Sequence, residues 1–150
     1  MRLSHQVQYA ICGIFDIAYN GHGEPVQIRV ISERQAIPGR YLEQIFQRLR
    51  RAGLVTSKRG PGGGYRLSHA PARITLRDVI EAVEGPIDHA LRMKPPDDGE
   101  VALHRPDFLW ERLADRLGSV FDELSLEVLC GAAARANLER VDPEPPMYFI

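Results

Sequence analysis

Apolar positions recur with helical spacing in several separate stretches of the chain, and one short stretch reads as a hairpin instead. Val7, Ala10, Ile11, Ile14, Ile17 and Ala18 mark one face of a first helix that stops at Asn20-Gly21-His22-Gly23. Pro25 to Ile28 predicts a short strand, and Val30 to Ala36 a short second helix before Ile37-Pro38-Gly39, where Pro38 suits the first turn of the next helix. In that third helix Leu42, Ile45, Phe46 and Leu49 share a face, the remainder is polar and basic, and Gly53 is a C-cap signal. Two short apolar runs then flank Gly60-Pro61-Gly62-Gly63-Gly64, a composition suited to positive φ and to the close approach of another backbone. Pro71 closes the second strand. Thr75 can N-cap a helix through Leu76, Val79, Ile80 and Val83 that ends at Gly85-Pro86. From Asp88 to Arg105 there is no periodicity, and Pro95-Pro96-Asp97-Asp98-Gly99 reads as part of a long loop. Pro106 opens a helix with a wide stripe, Phe108, Leu109, Leu113, Leu117, Val120, Phe121 and Leu124, and Ser125 caps a last one through Val128, Leu129 and Ala132.

These elements predict a mostly α chain with a small β wing: a winged helix-turn-helix over 1–85, a loop over 86–105, helices over 106–140 and an extended tail over 141–150. A short helix, a tight turn and a longer amphipathic helix form a helix-turn-helix whose third helix is the reader. Lys58 and Arg59 enter the wing turn and Arg66 leaves it, so a basic loop stands beside a basic helix, as expected of a surface that meets DNA. A nucleotide-binding loop needs Gly-Lys-Ser/Thr, or glycines leading into a helix, and this run leads into a strand. The expected interface uses Arg2, Arg51, Lys58 and Arg66 on phosphates, Arg40, Glu43 and Gln44 at base edges beside Tyr41, Arg59 in a minor groove, and Gly62 and Gly63 at the wing turn. The stripe after Pro106 exceeds what a winged domain's own core requires, which makes that helix the expected seam of a homodimer.

Charge sharpens this picture. The net charge of -1 conceals 12 Lys and Arg against 5 Asp and Glu in residues 1–80, and 7 against 15 in residues 81–150. The half that carries the wing is the half that can neutralise phosphates. No apolar run approaches the roughly 20 residues of a membrane span, and the N-terminus has no signal-peptide core, so a cytoplasmic protein is expected. Cys12 and Cys130 are far apart in helical patterns and read as buried free thiols. No set of nucleophiles or carboxylates at catalytic spacing occurs, so the chain does not read as an enzyme.

With these residues assembled, the chain resembles the Rrf2 family of bacterial winged-helix regulators, which includes the iron–sulfur cluster regulator. The carriers are Met1-Arg2-Leu3-Ser4 with Tyr9-Ala10, Ile37-Pro38 with Tyr41-Leu42-Glu43-Gln44-Ile45, Ala52-Gly53-Leu54-Val55, Arg59 through Leu67, Ile74-Thr75-Leu76, Glu81 through Pro86, and Leu109-Trp110. The resemblance implies a homodimer joined through the helix after Pro106, reading helices in adjacent major grooves of an operator and wings in minor grooves. It implies no catalytic activity. Cluster-binding members carry three cysteines in the loop before the long helix, and here there are none. Arg92, Asp98 and His104 stand at the cysteine positions and Asp107 at that of an accompanying histidine, so a thiolate-held cluster, and any other cofactor, is not expected. A metal- or redox-sensing site drawn from Cys12, His89, His104 and Asp107 is the alternative, on weak spacing.

The tail raises a separate question. After Asp142-Pro143-Glu144-Pro145-Pro146 the chain reads Met147-Tyr148-Phe149-Ile150, an apolar peptide on a stiff acidic linker. Either it folds back onto the dimer or it docks a partner. Its ending resembles the termini of serine acetyltransferases, whose last Ile carboxylate enters cysteine synthase. The family's cluster-less cysteine-metabolism repressors are similar in lacking loop cysteines and act with that enzyme. Together these resemblances imply a repressor in a sulfur circuit, with cysteine synthase as partner.

Overall fold

The computed structural model describes residues 1–142, apart from the side chain of Asp98. Its helices are α1 (His5–Asn20), α2 (Ile28–Gln35), α3 (Gly39–Arg51), α4 (Leu76–Glu84), α5 (Ile87–Leu91), α6 (Phe108–Asp122) and α7 (Leu126–Arg135), and its two strands are β1 (Val55–Lys58) and β2 (Gly64–Leu67). The expected architecture of a mostly helical chain with one small antiparallel wing is the one found.

α1 is the hub. The Ser4 hydroxyl caps it, accepting from the Val7 N–H at 3.2 Å, and donates to a carboxylate oxygen of Glu84. Val7, Ala10, Ile14 and Ile17 bury one face against Leu42, Ile45, Phe46 and Leu49 of α3 and Val79, Ile80 and Val83 of α4. Gly13 sets how closely α3 approaches: a Cβ there would lie 2.9 Å from the Phe46 ring. Asp16 on the same helix is wholly buried yet fully engaged, accepting from Asn20, Arg34 and Gln35 at 3.2, 3.1 and 2.9 Å. That network fixes α2 on α1, and losing Arg34 would leave the buried Asp16 without its counter-ion.

Between α2 and α3 the turn is held by Ala36 in the left-handed region and by the Ser32 hydroxyl donating to the Ile37 carbonyl at 2.6 Å. The strand expected over Pro25 to Ile28 shrinks to one bridge, in which Val26 and Tyr65 exchange both backbone hydrogen bonds at 2.8 Å. The Gln27 carbonyl accepts from the Val30 and Ile31 N–H groups at 3.0 and 3.1 Å, so α2 begins at Ile28, two residues before the expected Val30. In the hairpin Val55 faces Leu67, Thr56 faces Arg66, Ser57 faces Tyr65 and Lys58 faces Gly64.

The Thr75 cap is a full capping box with Asp78, at 3.2 and 2.9 Å. Backbone bonds from Leu76 to Leu124 and from Leu126 to Ile74 stitch the start of α4 to the α6–α7 corner. Arg77 adds ion pairs to Glu81 at 3.2 Å and Asp122 at 3.0 Å, with Gly118 leaving room for its guanidinium. The unbroken loop expected from Asp88 to Arg105 is corrected at its start. α5 forms there because Ile87 is buried and its N–H donates to the Glu81 carboxylate at 3.2 Å. After α7 the chain turns back at Asn137 and is strapped to the end of α1: the Tyr19 hydroxyl donates to the Leu138 carbonyl at 2.8 Å, the Val141 N–H donates to Asn20 at 2.9 Å, and Arg140 lies 4.3 Å over the Tyr19 ring.

Candidate nucleic-acid interface

Burial divides α3 cleanly. Its four apolar residues are buried, and Arg40, Tyr41, Glu43, Gln44 and Gln47 are exposed along the other side. No side chain caps its N-terminus, and while the Tyr41 N–H donates to the Pro38 carbonyl at 3.1 Å, those of Gly39 and Arg40 and the positive end of the dipole are open to an anion. Tyr41 is held in place. Arg40 stacks 4.8 Å from its ring centroid and donates to its hydroxyl at 3.2 Å, while Tyr9 of α1 packs on it at 6.1 Å and His5 on Tyr9 at 6.0 Å. Arg2 reaches His5 at 2.8 Å, so a column from Arg2 to Arg40 joins the N-terminus to the reading helix. Sequence reasoning missed His5 and Tyr9 as the support of this column; their i, i+4 spacing on the polar edge of α1 was the available signal.

The three arginines at the C-terminal end of α3 part ways. Arg48 turns inward, donating to the Gln6 side chain at 2.7 Å and the Val83 carbonyl at 3.3 Å, and Arg50 reaches Ser57 of β1 at 3.2 Å. Arg51 remains exposed. Phe46 packs against Tyr65 with ring centroids 4.9 Å apart and planes tilted by 52°, which ties the wing to the back of the reading helix. Lys58, Arg59 and Arg66 are exposed, and among the described residues Arg59 makes no hydrogen bond or ion pair.

The wing glycines divide their tasks differently from expectation. Gly63 is buried, and a Cβ there would meet the Lys58 and Gly60 carbonyls, so it closes the turn and offers no surface. Gly64, at φ 144, lies where a Cβ would strike the backbone of Val26. The close backbone approach anticipated from the glycine run is thus made within the chain. Gly62 alone of the two expected at the interface is exposed, at φ 71 with open space around it.

Basic side chains on an uncapped reading helix, beside a basic wing, define a winged helix-turn-helix protein of the DNA-binding class. Known proteins make the assignment particular. Residues 3–132 match the Rrf2 family, described as iron-dependent transcriptional regulators. The chain is similar to the HTH-type transcriptional regulator IscR of Xenorhabdus nematophila, 42% identical over 132 residues, 86% of this chain and 79% of that one. Among solved structures it resembles CymR (YrzC), the global cysteine regulator of B. subtilis, with TM-score 0.70 and 34% identity over 88% of this chain and 98% of that one. It also resembles T. potens IscR, with TM-score 0.72 and 31% identity over 94% of each. The chain belongs to the Rrf2 family of transcriptional regulators.

The family description raises iron, and the donors present do not suit it. The segment from Arg92 to Asp107 contains no cysteine. Among the described residues no three His, Cys, Asp or Glu side chains converge. Of the four candidates, Cys12 sits on α1, packed against the core, where burial pushes its thiol up and disfavours the thiolate a metal needs. His89 is exposed beside Asp88 at 3.8 Å. His104 is exposed, and Asp107 is held below the usual carboxylate range by Arg105, whose guanidinium donates to it at 2.6 and 3.1 Å. Cys130 on α7 is likewise pushed up by burial.

Proposed function

We propose that this chain is a dimeric, sequence-specific repressor acting in the cytoplasm, and that its circuit is cysteine or sulfur metabolism. The observation that carries the DNA-binding part is the division of α3 into a buried apolar face and an exposed Arg40-Tyr41-Glu43-Gln44 face beside Lys58 and Arg59. In this reading Arg40, Glu43 and Gln44 meet base edges with Tyr41 buttressing Arg40. Arg2, Arg51, Lys58 and Arg66 neutralise phosphates, and Arg59 enters a minor groove past Gly62. Dimerisation uses α6. The apolar residues of α6 split in two: Ala114 and Phe121, with Leu124 just past its end, turn toward the core, whereas Phe108, Leu109, Leu113 and Val120 stay exposed. Leu117, which belongs to the same expected stripe, is half-buried.

The circuit is supported by the lack of loop cysteines together with the likeness to a structure named as a global cysteine regulator. Cysteine synthase is the proposed partner, captured by Met147, Tyr148, Phe149 and Ile150, which lie outside the described residues. The strap from Leu138 to Val141 supports this by fixing on α1 the point from which that peptide departs. Calorimetric titration of the full chain and of a form lacking Met147 to Ile150 against cysteine synthase tests the partner. Binding by the full chain alone is expected, and equal binding or none by both contradicts it. A second reading, iron–sulfur sensing, is favoured by the IscR relatives and opposed by the donor set. Iron and sulfide bound stoichiometrically to anaerobically purified protein would establish it.

A further inference from the structure

We propose that residues 138–141 form a strap that positions the reading helix, and that its seating on α1 sets operator affinity through the side chains of Asn20 and Asp16. The inference rests on the DNA-binding reading of α3 and the wing, and it is independent of any partner for the tail.

The strap is held by polar groups rather than by burial. The Tyr19 hydroxyl donates to the Leu138 carbonyl at 2.8 Å, His22 Nε2 donates to the Val141 carbonyl at 2.9 Å, and the Val141 N–H donates to Asn20 Oδ1 at 2.9 Å. Leu138 and Val141 keep 52 and 41% of their surface. A segment with so little buried apolar surface opens and closes at small cost, unlike the core beneath it.

What lies beneath is the buried junction of α1 and α2. Asn20 meets the strap with one end of its amide and Asp16 with the other: Oδ1 accepts from Val141, so Nδ2 is turned to donate to Asp16 Oδ1 at 3.2 Å. Asp16 completes its shell with Gln35 at 2.9 Å and Arg34 at 3.1 Å, neighbours in the last turn of α2. Arg34 and Gln35 line the same cleft as the strap. Seating therefore does two things. It fixes the Asn20 amide in the orientation that serves Asp16, and it limits the access of water to the Arg34–Asp16 pair, whose attraction grows as water is excluded. With the strap lifted, the Asn20 amide is free to turn, water competes for Asp16, and the last turn of α2 loosens.

That turn carries the reading helix. Ala36 follows Gln35 directly, the Ile37 N–H donates back to the Ser32 carbonyl at 3.1 Å, and Pro38 leads into α3. Backbone strain marks the same path. Among the described residues three non-glycines have positive φ: Asn137 at 56° where the strap begins, His22 at 51° where it is held, and Ala36 at 53° where α2 gives way to α3. Residues kept in that region persist only where the surrounding contacts over-determine them, so a change in those contacts is felt at these joints.

Val141→Pro deletes the N–H that Asn20 accepts and leaves every residue of α1, α2 and α3 in place, whereas Val141→Ala keeps that N–H and trims the side chain. Binding to a duplex selected by the wild-type full-length protein is followed by fluorescence anisotropy. Affinity should fall about fivefold in Val141→Pro, as for one lost hydrogen bond, and stay at the wild-type value in Val141→Ala. Asn20→Ala should lower it as well, and adding Val141→Pro to that variant should lower it no further. Hydrogen–deuterium exchange reads the coupling without DNA: amides of residues 28–37 should exchange faster in Val141→Pro than in Val141→Ala. Unchanged affinity or unchanged exchange in Val141→Pro, an equal loss in Val141→Ala, or additive losses in the double variant would each overturn the proposal. A wild-type protein that prefers no duplex would overturn the DNA-binding reading and this inference with it, whereas selective wild-type binding matched by Val141→Pro overturns the strap alone.

Discussion

Placing a charge at Leu113 tests whether α6 is the seam of the proposed dimer. Phe108, Leu109, Leu113 and Val120 retain 66, 37, 38 and 51% of their surface in the single chain. Together that is about two whole side chains of apolar surface, hence roughly 3–6 kcal/mol per protomer and twice that for a two-fold pair. The range brackets the roughly 8 kcal/mol of a micromolar dimer before the loss of rigid-body freedom is counted, so the margin is small. Leu113→Asp removes about 1 kcal/mol of apolar burial per chain and asks each chain to desolvate an unpaired carboxylate at several kcal/mol more. The dissociation constant should rise more than about a thousandfold. Because Leu113 faces away from the core, the monomer should keep its helical circular dichroism. Sedimentation equilibrium from submicromolar to high micromolar concentration reads the outcome. A wild-type protein that stays monomeric throughout, or a variant that dimerises like wild type, would refute the assignment of α6.

Three further outcomes are expected. Arg59→Ala should leave thermal unfolding unchanged and weaken operator binding by about 1–3 kcal/mol with a shallower salt slope, as titrations at several salt concentrations would show. Gly64→Ala should destabilise the fold by roughly 2–4 kcal/mol in urea denaturation, since it combines φ 144 with a clash against Val26. Burial raises the pKa of Cys12 and Cys130, so alkylation of the native protein at neutral pH should be slower than that of the unfolded chain. It should accelerate only as the pH rises beyond the ordinary thiol range, and rapid labelling at neutral pH by mass spectrometry would contradict the burial assigned here.

Where periodicity ran long, the fold was legible in the residues alone. α1, α3, α4, α6 and α7 each carry enough apolar repeats, and their caps at Thr75 and Ser125 stand where expected. α5 was missed because five residues contain little more than one turn, and what makes it helical is a carboxylate six residues upstream. The strand before α2 was overcalled because Pro25 to Ile28 satisfies a β pattern, while only Val26 reaches a partner. In the interface, charge and spacing pointed to the exposed face of α3 and to the wing. They could not show that Arg48 and Arg50 are spent within the fold or that Gly63 and Gly64 serve the hairpin, since those facts depend on which backbone lies opposite. The opposed charges of the two halves were visible from composition, but the packing of α5 on α6 needed the path of the chain between them.

The account rests on α3 and the wing reading a DNA sequence, and one titration tests that directly. A duplex selected from a random library by the full-length protein, and a scrambled duplex of the same composition, are compared by fluorescence anisotropy over a range of salt. The selected sequence should contain an inverted repeat with half-sites about one helical turn apart, bind roughly a thousandfold or more tightly than the scramble, and weaken steeply with added salt. Equal affinity for the two duplexes, or affinity indifferent to salt, would contradict the account.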